Sequence, residues 1–265
     1  MEDFLSTAVN VTANRGNSLI NRKMILRILG ILLFMEAMMF LVCAGVSLCY
    51  GEEDYIYFIY TTLINMAVGS GLILLGRGAE NRVTRRDGYC IVAFTWLLFT
   101  GFGMLPFYIS GSIPSVTDAF FETMSGFTTT GATILDDIEA LSHGMLFWRS
   151  FSQWIGGLGI VFFTIAVLPI FGVGNQVLFS AEATGVTHDK IHPKISVMAQ
   201  CLWTVYLVLT VAEIVLLLIG GMDLFDAACH AFSTTATGGY STKQASVAYW
   251  NSPFIEYVIA IFMIL

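Results

Sequence analysis

Thr128-Thr129-Thr130-Gly131-Ala132-Thr133 is matched later in the chain by Thr235-Ala236-Thr237-Gly238-Gly239-Tyr240-Ser241. Both stretches lie between long apolar segments and combine Thr with Gly in the same order. Backbone carbonyls aimed at one axis can replace the water around a cation, and glycine permits the unusual φ angles that turn a carbonyl inward. Either stretch alone would more often be an ordinary Thr/Gly-rich loop. Two matching copies predict an ion-selectivity filter that is used twice.

The predicted ion-binding residues contribute mainly their backbone carbonyls. They are Thr128, Thr129, Thr130, Gly131 and Ala132 in the first stretch, and Thr235, Ala236, Thr237, Gly238 and Gly239 in the second. We predict no catalytic residue, no cofactor and no metal site other than that of the transported ion.

The composition indicates an all-α integral membrane protein. Hydrophobic residues make up 56% of the chain, charged residues only 12%, and the mean hydropathy is +0.77, whereas about a quarter of the residues in a soluble domain are charged. A membrane-spanning helix needs roughly 20 apolar residues. Segments of that length lie at residues 24–50, 55–76, 89–109, 145–171 and 196–221, and another apolar segment begins near Ser252.

The distribution of charge predicts the orientation of the spans. Short cytoplasmic loops are enriched in Lys and Arg. Basic residues flank one set of loops: Arg15, Arg22, Lys23, Arg27, Arg77, Arg82, Arg85, Arg86, Lys190 and Lys194. Acidic residues occupy the other set: Glu52, Glu53, Asp54, Asp118, Glu122, Asp136, Asp137, Glu139, Asp223 and Asp226. We therefore expect a cytoplasmic N-terminus, an acidic outer face carrying both Thr/Gly stretches, and no binding to nucleic acid.

An internal repeat contains the two stretches. Each copy consists of a span, an outer re-entrant loop and a second span. Asp118-Ala119 and Asp226-Ala227 open the two loops, and Gly131 and Gly238 follow these aspartates by 13 and 12 residues. This spacing predicts a short helix, N-capped by the Asp, whose C-terminal end directs partial negative charge toward a cation.

The repeat divides the chain into four parts. Residues 1–87 hold the N-terminus and two peripheral spans, 88–172 the first pore repeat, 173–195 a cytoplasmic linker, and 196–265 the second pore repeat. The last apolar segment is shorter than a span at Leu265. We expect the chain to be the N-terminal half of a longer protein. The alternative is a half-length protein that pairs to complete a pore.

Several stretches resemble the Trk/Ktr family of potassium-uptake proteins, in its TrkH-type pore-forming subunits. They are residues 118–133, Gln153-Trp154-Ile155-Gly156-Gly157-Leu158-Gly159-Ile160, residues 226–241, and the linker around residues 178–182 and 189–190. The resemblance implies a potassium-channel-like pore of outer-helix, pore-loop, inner-helix repeats, with one filter strand centred on Gly131 and another on Gly238. It further implies potassium as the transported ion, a homodimer in the bacterial inner membrane surrounded by lipid, and gating by a cytoplasmic nucleotide-binding ring of the TrkA type.

Polar residues within the spans have plainer interpretations. Glu36 is expected to form a hydrogen bond with a neighbour such as Asn65, and Glu213 to be structural before it is ion-binding. Arg149 could act on ions at the pore mouth, although snorkelling to the membrane interface is the simpler account. The three glycines of residues 153–160 predict close helix packing or a flexible point.

His188 and His192 have the spacing of two metal ligands on one helix. Pro193 follows them and no third ligand has a matching spacing. We interpret both as loop residues that could contact the gating ring.

We weigh three rival functions against the sequence. A sodium- or proton-coupled potassium symporter would couple at a carboxylate such as Glu213. An intramembrane enzyme would need a nucleophile and a base, or a metal cluster, and no such constellation is present in the sequence, so we expect no enzyme. A structural membrane scaffold is the third possibility.

Overall fold

A computed structural model describes residues 20–79, 85–159 and 195–265. Within these ranges the chain forms nine α-helices, one 3-10 helix and no strand. The α-helices are α1 (Arg22–Cys49), α2 (Tyr55–Leu75), α3 (Arg85–Gly103), α4 (Leu105–Ile109), α5 (Val116–Phe127), α6 (His143–Gly157), α7 (Ile195–Ile219), α8 (Leu224–Thr235) and α9 (Pro253–Phe262). The predicted all-α fold class is confirmed.

Four helical segments of the described chain are long and apolar enough to cross a membrane. They are Arg22–Cys49, Tyr55–Leu75, Arg86–Ser110 and Gln200–Ile219, and they agree with four of the predicted spans. The predicted span at 145–171 begins as α6, but its residues from 160 onward lie outside the described ranges. The same is true of the linker at 173–195, apart from its last residue, and of His188 and His192.

Helices α1 and α2 form a tightly packed hairpin. A methyl group added to Gly30 would lie 2.7 Å from the carbonyl oxygen of Gly69, so only a residue without a side chain permits this approach. Asn65 Nδ2 donates a hydrogen bond of 3.0 Å to Glu36 Oε2, and both residues are fully buried. The predicted Glu36–Asn65 bond is confirmed, and it stabilises the hairpin from inside.

The outer helix of the first repeat is divided in two. The sequence predicts one span at 89–109, whereas the structure has α3 ending at Gly103 and α4 beginning at Leu105. Pro106 lies in the first turn of α4. Proline has no N–H to continue the helical hydrogen bonds, and its ring obstructs the preceding turn, so the helix breaks there.

Helices α5 and α8 lead into the two Thr/Gly stretches, which keep the name pore loops from the sequence prediction, and each helix has 12 residues. Their caps correct the sequence analysis: the N-cap residues are Ser115 and Asp223, whose side chains accept hydrogen bonds from the backbone N–H groups of the first turn. Asp118 and Asp226 lie inside that first turn. An acidic residue there still favours the helix, because the first turn carries partial positive charge.

Trp148 anchors helix α6 between the hairpin and the first pore loop. Its ring centroid lies 4.6 Å from that of Phe40 on α1 and 5.8 Å from that of Phe127 on α5. Its indole Nε1 donates a bond of 2.9 Å to the Gly103 carbonyl. Because Trp148 is fully buried and its one polar group is bonded, the cluster fixes α6 beside the end of α5.

Candidate functional site

The two pore loops have the same backbone, 108 residues apart. Val116 and Leu224 begin the short helices and Phe127 and Thr235 end them, and both pairs have this separation. The bonds from Thr129 N–H to Gly126 O and from Thr130 N–H to Ser125 O, each 3.0 Å, close the first helix. Thr237 and Gly238 repeat them with Thr234 and Ser233, each 2.8 Å. The repeat predicted from sequence is therefore a repeat of conformation.

This register changes how the two stretches are paired. Thr235 is the last residue of α8 and corresponds to Phe127, whereas the sequence analysis aligned it with Thr128. Gly131 consequently corresponds to Gly239, and its pairing with Gly238 was wrong by one residue. Both Gly131 and Gly239 have positive φ, 73° and 87°.

Each loop also holds a threonine in a left-handed conformation. Thr129 has φ 54° and Thr237 has φ 52°, at equivalent positions. A β-branched residue rarely takes a positive φ, at a cost on the order of 1–3 kcal/mol, and such outliers gather where a particular backbone shape is needed. Residues of positive φ thus occur at every second position of each loop. The loops are bent away from any regular helix or strand.

The two loops touch at their glycines. A methyl group on Gly131 would overlap the carbonyl oxygen of Gly238. Around Gly239, by contrast, the structure leaves open space for a side-chain carbon. Thr128, Thr130, Ala132, Thr237 and Gly239 are exposed, whereas Ala236 and Gly238 are buried. The proposed ion-binding residues are therefore adjacent, but they do not all face the same surroundings.

A buried ion pair lies behind the loops. Arg149 Nε and Glu122 Oε1 are 2.6 Å apart, and the side chains are 2% and 0% exposed. Glu122 also accepts hydrogen bonds of 3.0 Å from Thr133 Oγ1 and from Ile134 N–H, at the exit of the first loop. Paired and hydrogen-bonded on both sides, the Glu122 carboxylate remains compatible with burial.

Arg149 extends this network to the second loop. Its Nη1 donates a bond of 3.0 Å to the Ser241 carbonyl, and its guanidinium carbon lies 3.8 Å from the centre of the Tyr240 ring. The Tyr240 hydroxyl donates a bond of 2.8 Å to the Glu122 carbonyl. Arg149 does not snorkel to the membrane interface, and Glu122 does not lie on an exposed acidic face. Both of these expectations were wrong, because each charge has the other as its buried partner.

His230 occupies the position in α8 that Glu122 holds in α5. Its Nε2 lies 2.9 Å from Ser241 Oγ, at the position equivalent to Thr133, and its Nδ1 lies 2.7 Å from the Asp226 carbonyl oxygen. A carbonyl only accepts, so Nδ1 carries the proton and Nε2 accepts from Ser241. At this position the second loop therefore has a neutral side chain where the first loop has a carboxylate, although Arg149 also donates to the Ser241 carbonyl.

The glycine motif lets α6 pack against the ends of both short helices. A methyl group on Gly156 would overlap the Phe127 carbonyl oxygen, and one on Gly157 would lie 2.8 Å from the Ala236 Cα. The predicted close packing is confirmed. Sequence reasoning missed the structural roles of Gln153 and Tyr240. The signal was available in the quoted motifs, since both are polar residues next to the glycines.

Glu213 lies behind the second loop, on α7. It is fully buried, and Thr235 Oγ1 donates a bond of 3.3 Å to its Oε2. Its other oxygen, Oε1, has no hydrogen-bond partner among the described residues. The carboxylate therefore contacts the last turn of α8, one residue before the loop.

Comparison with known proteins gives a consistent result. The model of the family described as "TrkH: Cation transport protein" matches residues 56–265. The chain is 41% identical to the Trk system potassium uptake protein TrkH of Escherichia coli strain K12 over 243 residues, which are 91% of this chain and 50% of that protein. Its counterpart from Halomonas elongata is 39% identical over 245 residues, 92% of this chain and 51% of that protein.

The solved structure of the potassium transporter TrkH from Vibrio parahaemolyticus is also similar. It superimposes with a TM-score of 0.76 at 38% identity, covering 91% of this chain and 48% of that one. The chain spans about half the length of the curated relatives it matches. Those relatives are transporters, which agrees with the expectation that this chain is not an enzyme. With the family model covering most of its residues, this membrane protein belongs to the TrkH family of cation transport proteins.

Proposed function

We propose that this chain contributes to potassium uptake across the cytoplasmic membrane of a bacterium, through a channel-like selectivity filter. The observation that carries the proposal is the repeated loop backbone, with positive φ at Thr129 and Gly131 and again at Thr237 and Gly239. We assign ion coordination to the carbonyls of residues 128–132 and 236–239. Thr235 is the last helical residue before the second loop, and it supports that loop by its hydrogen bond to Glu213.

The physical basis of the proposal is the replacement of water by protein oxygen. A potassium ion that enters the filter loses its hydration shell, and fixed carbonyl dipoles compensate for the loss. The C-terminal ends of α5 and α8 lead directly into the loops, where the helix dipole favours a cation. Exposed carboxylates at Asp118, Asp136 and Asp137 would concentrate cations nearby.

The assembly and its orientation are further parts of the proposal. The charge pattern supports a cytoplasmic N-terminus and outward-facing loops. The family resemblance supports a homodimer surrounded by lipid, and gating by a cytoplasmic nucleotide-binding ring of the TrkA type. No cofactor is needed, since potassium is the transported substrate.

A second candidate is a sodium- or proton-coupled potassium symporter. Glu213 favours it, because a buried carboxylate with an unbonded oxygen contacts the residue that leads into the second loop. In that mechanism, potassium flux would depend on a sodium or proton gradient. Flux that follows only the potassium electrochemical gradient would eliminate the symporter.

The test is growth at limiting potassium of a bacterium that lacks its own uptake systems. One strain expresses the 265-residue chain, and a second expresses it extended through the downstream reading frame. Rescue by either form supports potassium uptake, and rescue by the shorter form would mean that copies assemble a complete pore. Rescue by neither would reject the proposal.

A variant of the first loop tests whether the filter determines ion selectivity. Gly131→Ser introduces a side chain where the Gly238 carbonyl already lies, at a φ that favours glycine. We expect the potassium-to-sodium permeability ratio to fall. An unchanged ratio in a folded Gly131→Ser protein would count against the filter assignment.

A further inference from the structure

Gln153 lies between the two loops, in the C-terminal half of helix α6. The residue is fully buried. Its Oε1 accepts a bond of 2.7 Å from Ser233 Oγ on α8 and one of 3.2 Å from the Tyr240 backbone N–H, just beyond the second loop. A single side-chain oxygen therefore joins the last turn of α8 to the residue that follows the second loop.

Gly238 explains why the carboxamide sits where it does. Its φ is not among the positive ones, so the backbone conformation does not require a glycine there. The lack of space requires a glycine, because a methyl group on Gly238 would lie 2.6 Å from Gln153 Nε2 and closer still to Cδ. The carboxamide packs directly on the Gly238 backbone, and only a residue without a side chain leaves room for it there.

The nitrogen of the same carboxamide is directed toward the first loop. It lies 3.8 Å from the point that a Gly131 side-chain carbon would occupy, and it has no hydrogen-bond partner among the described residues. Gly131 in turn abuts the Gly238 carbonyl. A buried amide without a partner is costly. Its position at the contact between the loops indicates a role there.

We propose that Gln153 is a positioning residue that determines ion selectivity by setting the separation of the two loops. It touches no ion; it acts through Gly238 and Tyr240 on the carbonyls that would coordinate one. Potassium and sodium carry the same charge and differ in size, so the spacing and stiffness of those carbonyls affect which ion binds better. This inference rests on the proposed function.

The experiment uses the full reading frame that contains this chain, purified and reconstituted in liposomes for electrical recording. Gln153→Met keeps a side chain of similar length but removes both bonds to Oε1. One hydrogen bond corresponds to about 2- to 10-fold in an equilibrium, so we expect the potassium-to-sodium permeability ratio to fall roughly fivefold or more. Ser233→Ala removes one of the two bonds and should lower the ratio less.

A matched control is Gln244→Met, in the exposed outer loop. Gln244 accepts a hydrogen bond of 3.0 Å from Ile138 N–H and has no contact with the glycines. We expect its permeability ratio to equal that of the wild type.

Each outcome decides the proposal. A graded fall in the ratio from wild type to Ser233→Ala to Gln153→Met supports it. Reduced current with an unchanged ratio would overturn it, since Gln153 would then only stabilise the protein. If Gln153→Met does not fold, an unchanged ratio in Ser233→Ala overturns it alone. A wild-type protein that carries no potassium current would instead reject the proposed function, and the inference with it.

Discussion

The two pore loops share one backbone but are held in place by different side chains. The first loop is held by a buried ion pair between Glu122 and Arg149. In the second loop the position equivalent to Glu122 is His230, which accepts a bond from the Ser241 hydroxyl. Helix length and positive-φ residues are common to both. The comparison teaches that the loop conformation depends on backbone features, whereas the means of anchoring it can vary between copies.

The largest expected difference concerns these anchors. Arg149→Met leaves Glu122 buried without its partner, which should destabilise the protein by about 3–5 kcal/mol. His230→Gln removes a neutral interaction and should cost about 1–2 kcal/mol. Thermal unfolding of the purified proteins in detergent measures both.

A double variant controls for the charge. Glu122→Gln combined with Arg149→Met removes both charges of the pair, so it should recover much of the lost stability. Equal stability of Arg149→Met and the wild type would show that Glu122 does not need Arg149 as its buried partner.

The glycines provide the next test. Gly131→Ala adds a methyl group that overlaps the Gly238 carbonyl, at a positive φ. Gly239→Ala has the same unfavourable φ but open space around it, so it should cost only about 1–2 kcal/mol. We expect potassium-dependent growth to be lost with the first change and retained with the second. Equal effects would mean that the contact between the loops is unimportant.

Adding a methyl group to either of two glycines of helix α6 should destabilise a different one of the two loops. Gly156→Ala pushes against the Phe127 carbonyl of the first short helix, and Gly157→Ala against Ala236 of the second. Overpacking of this kind costs about 1–3 kcal/mol, and we expect Gly156→Ala to be the more damaging because its contact is closer. Unfolding temperatures give the order.

Gly101→Ala is the control for the helix glycines. A methyl group on Gly101, in helix α3, meets nothing within 4 Å, and alanine favours a helix over glycine. This change should leave the unfolding temperature unchanged or raise it. A loss as large as that of Gly156→Ala would show that the effect is not specific to α6.

The smallest effect concerns an anchor at the start of helix α6, provided by Glu52 in the connection between α1 and α2. Glu52 accepts bonds of 3.0 and 3.4 Å from the His143 and Gly144 N–H groups at the start of α6, and its Oε1 lies 2.7 Å from the His143 ring Nδ1. Partial burial opposes ionisation of Glu52, but these bonds outweigh it and lower its pKa.

The pH dependence follows from that direction. Because the folded protein holds the Glu52 pKa below its ordinary value of about 4.3, the contribution is present above that pH and is lost as the pH falls through the lowered pKa. The His143 and Glu52 side chains are partly exposed to solvent, at 42% and 24%, so the effect should stay below about 1 kcal/mol. Unfolding temperatures measured between pH 3 and 6 should fall more steeply for the wild type than for Glu52→Gln, and parallel curves would contradict this.

Much of the fold was predictable because hydropathy is a local property. The α1–α2 hairpin, the span in the first repeat and α7 all follow from runs of apolar residues. The Glu36–Asn65 bond was predictable as well, since two polar groups inside neighbouring spans have few alternatives in lipid.

The site was predictable only in outline. The Thr/Gly stretches mark the loops, but sequence similarity alone aligned Thr235 with Thr128. The caps at Ser115 and Asp223 set the helix starts three residues earlier than expected, and the common helix length then sets the register. Glu122 and Asp226 were predicted to lie on an acidic outer surface, because a charged residue is expected to be exposed when its partner is unknown. They are in fact only 1% and 6% exposed.

The sequence by itself determined that this chain is a helical membrane protein with a repeated re-entrant loop, because composition and glycine placement act over a few neighbouring residues. Only the tertiary structure decided that Gly131 contacts Gly238, although its counterpart in register is Gly239. It also decided that Arg149 pairs with Glu122 and that Gln153 contacts the second loop. Those contacts join residues far apart in the chain, and their geometry depends on how α6 packs between the ends of α5 and α8.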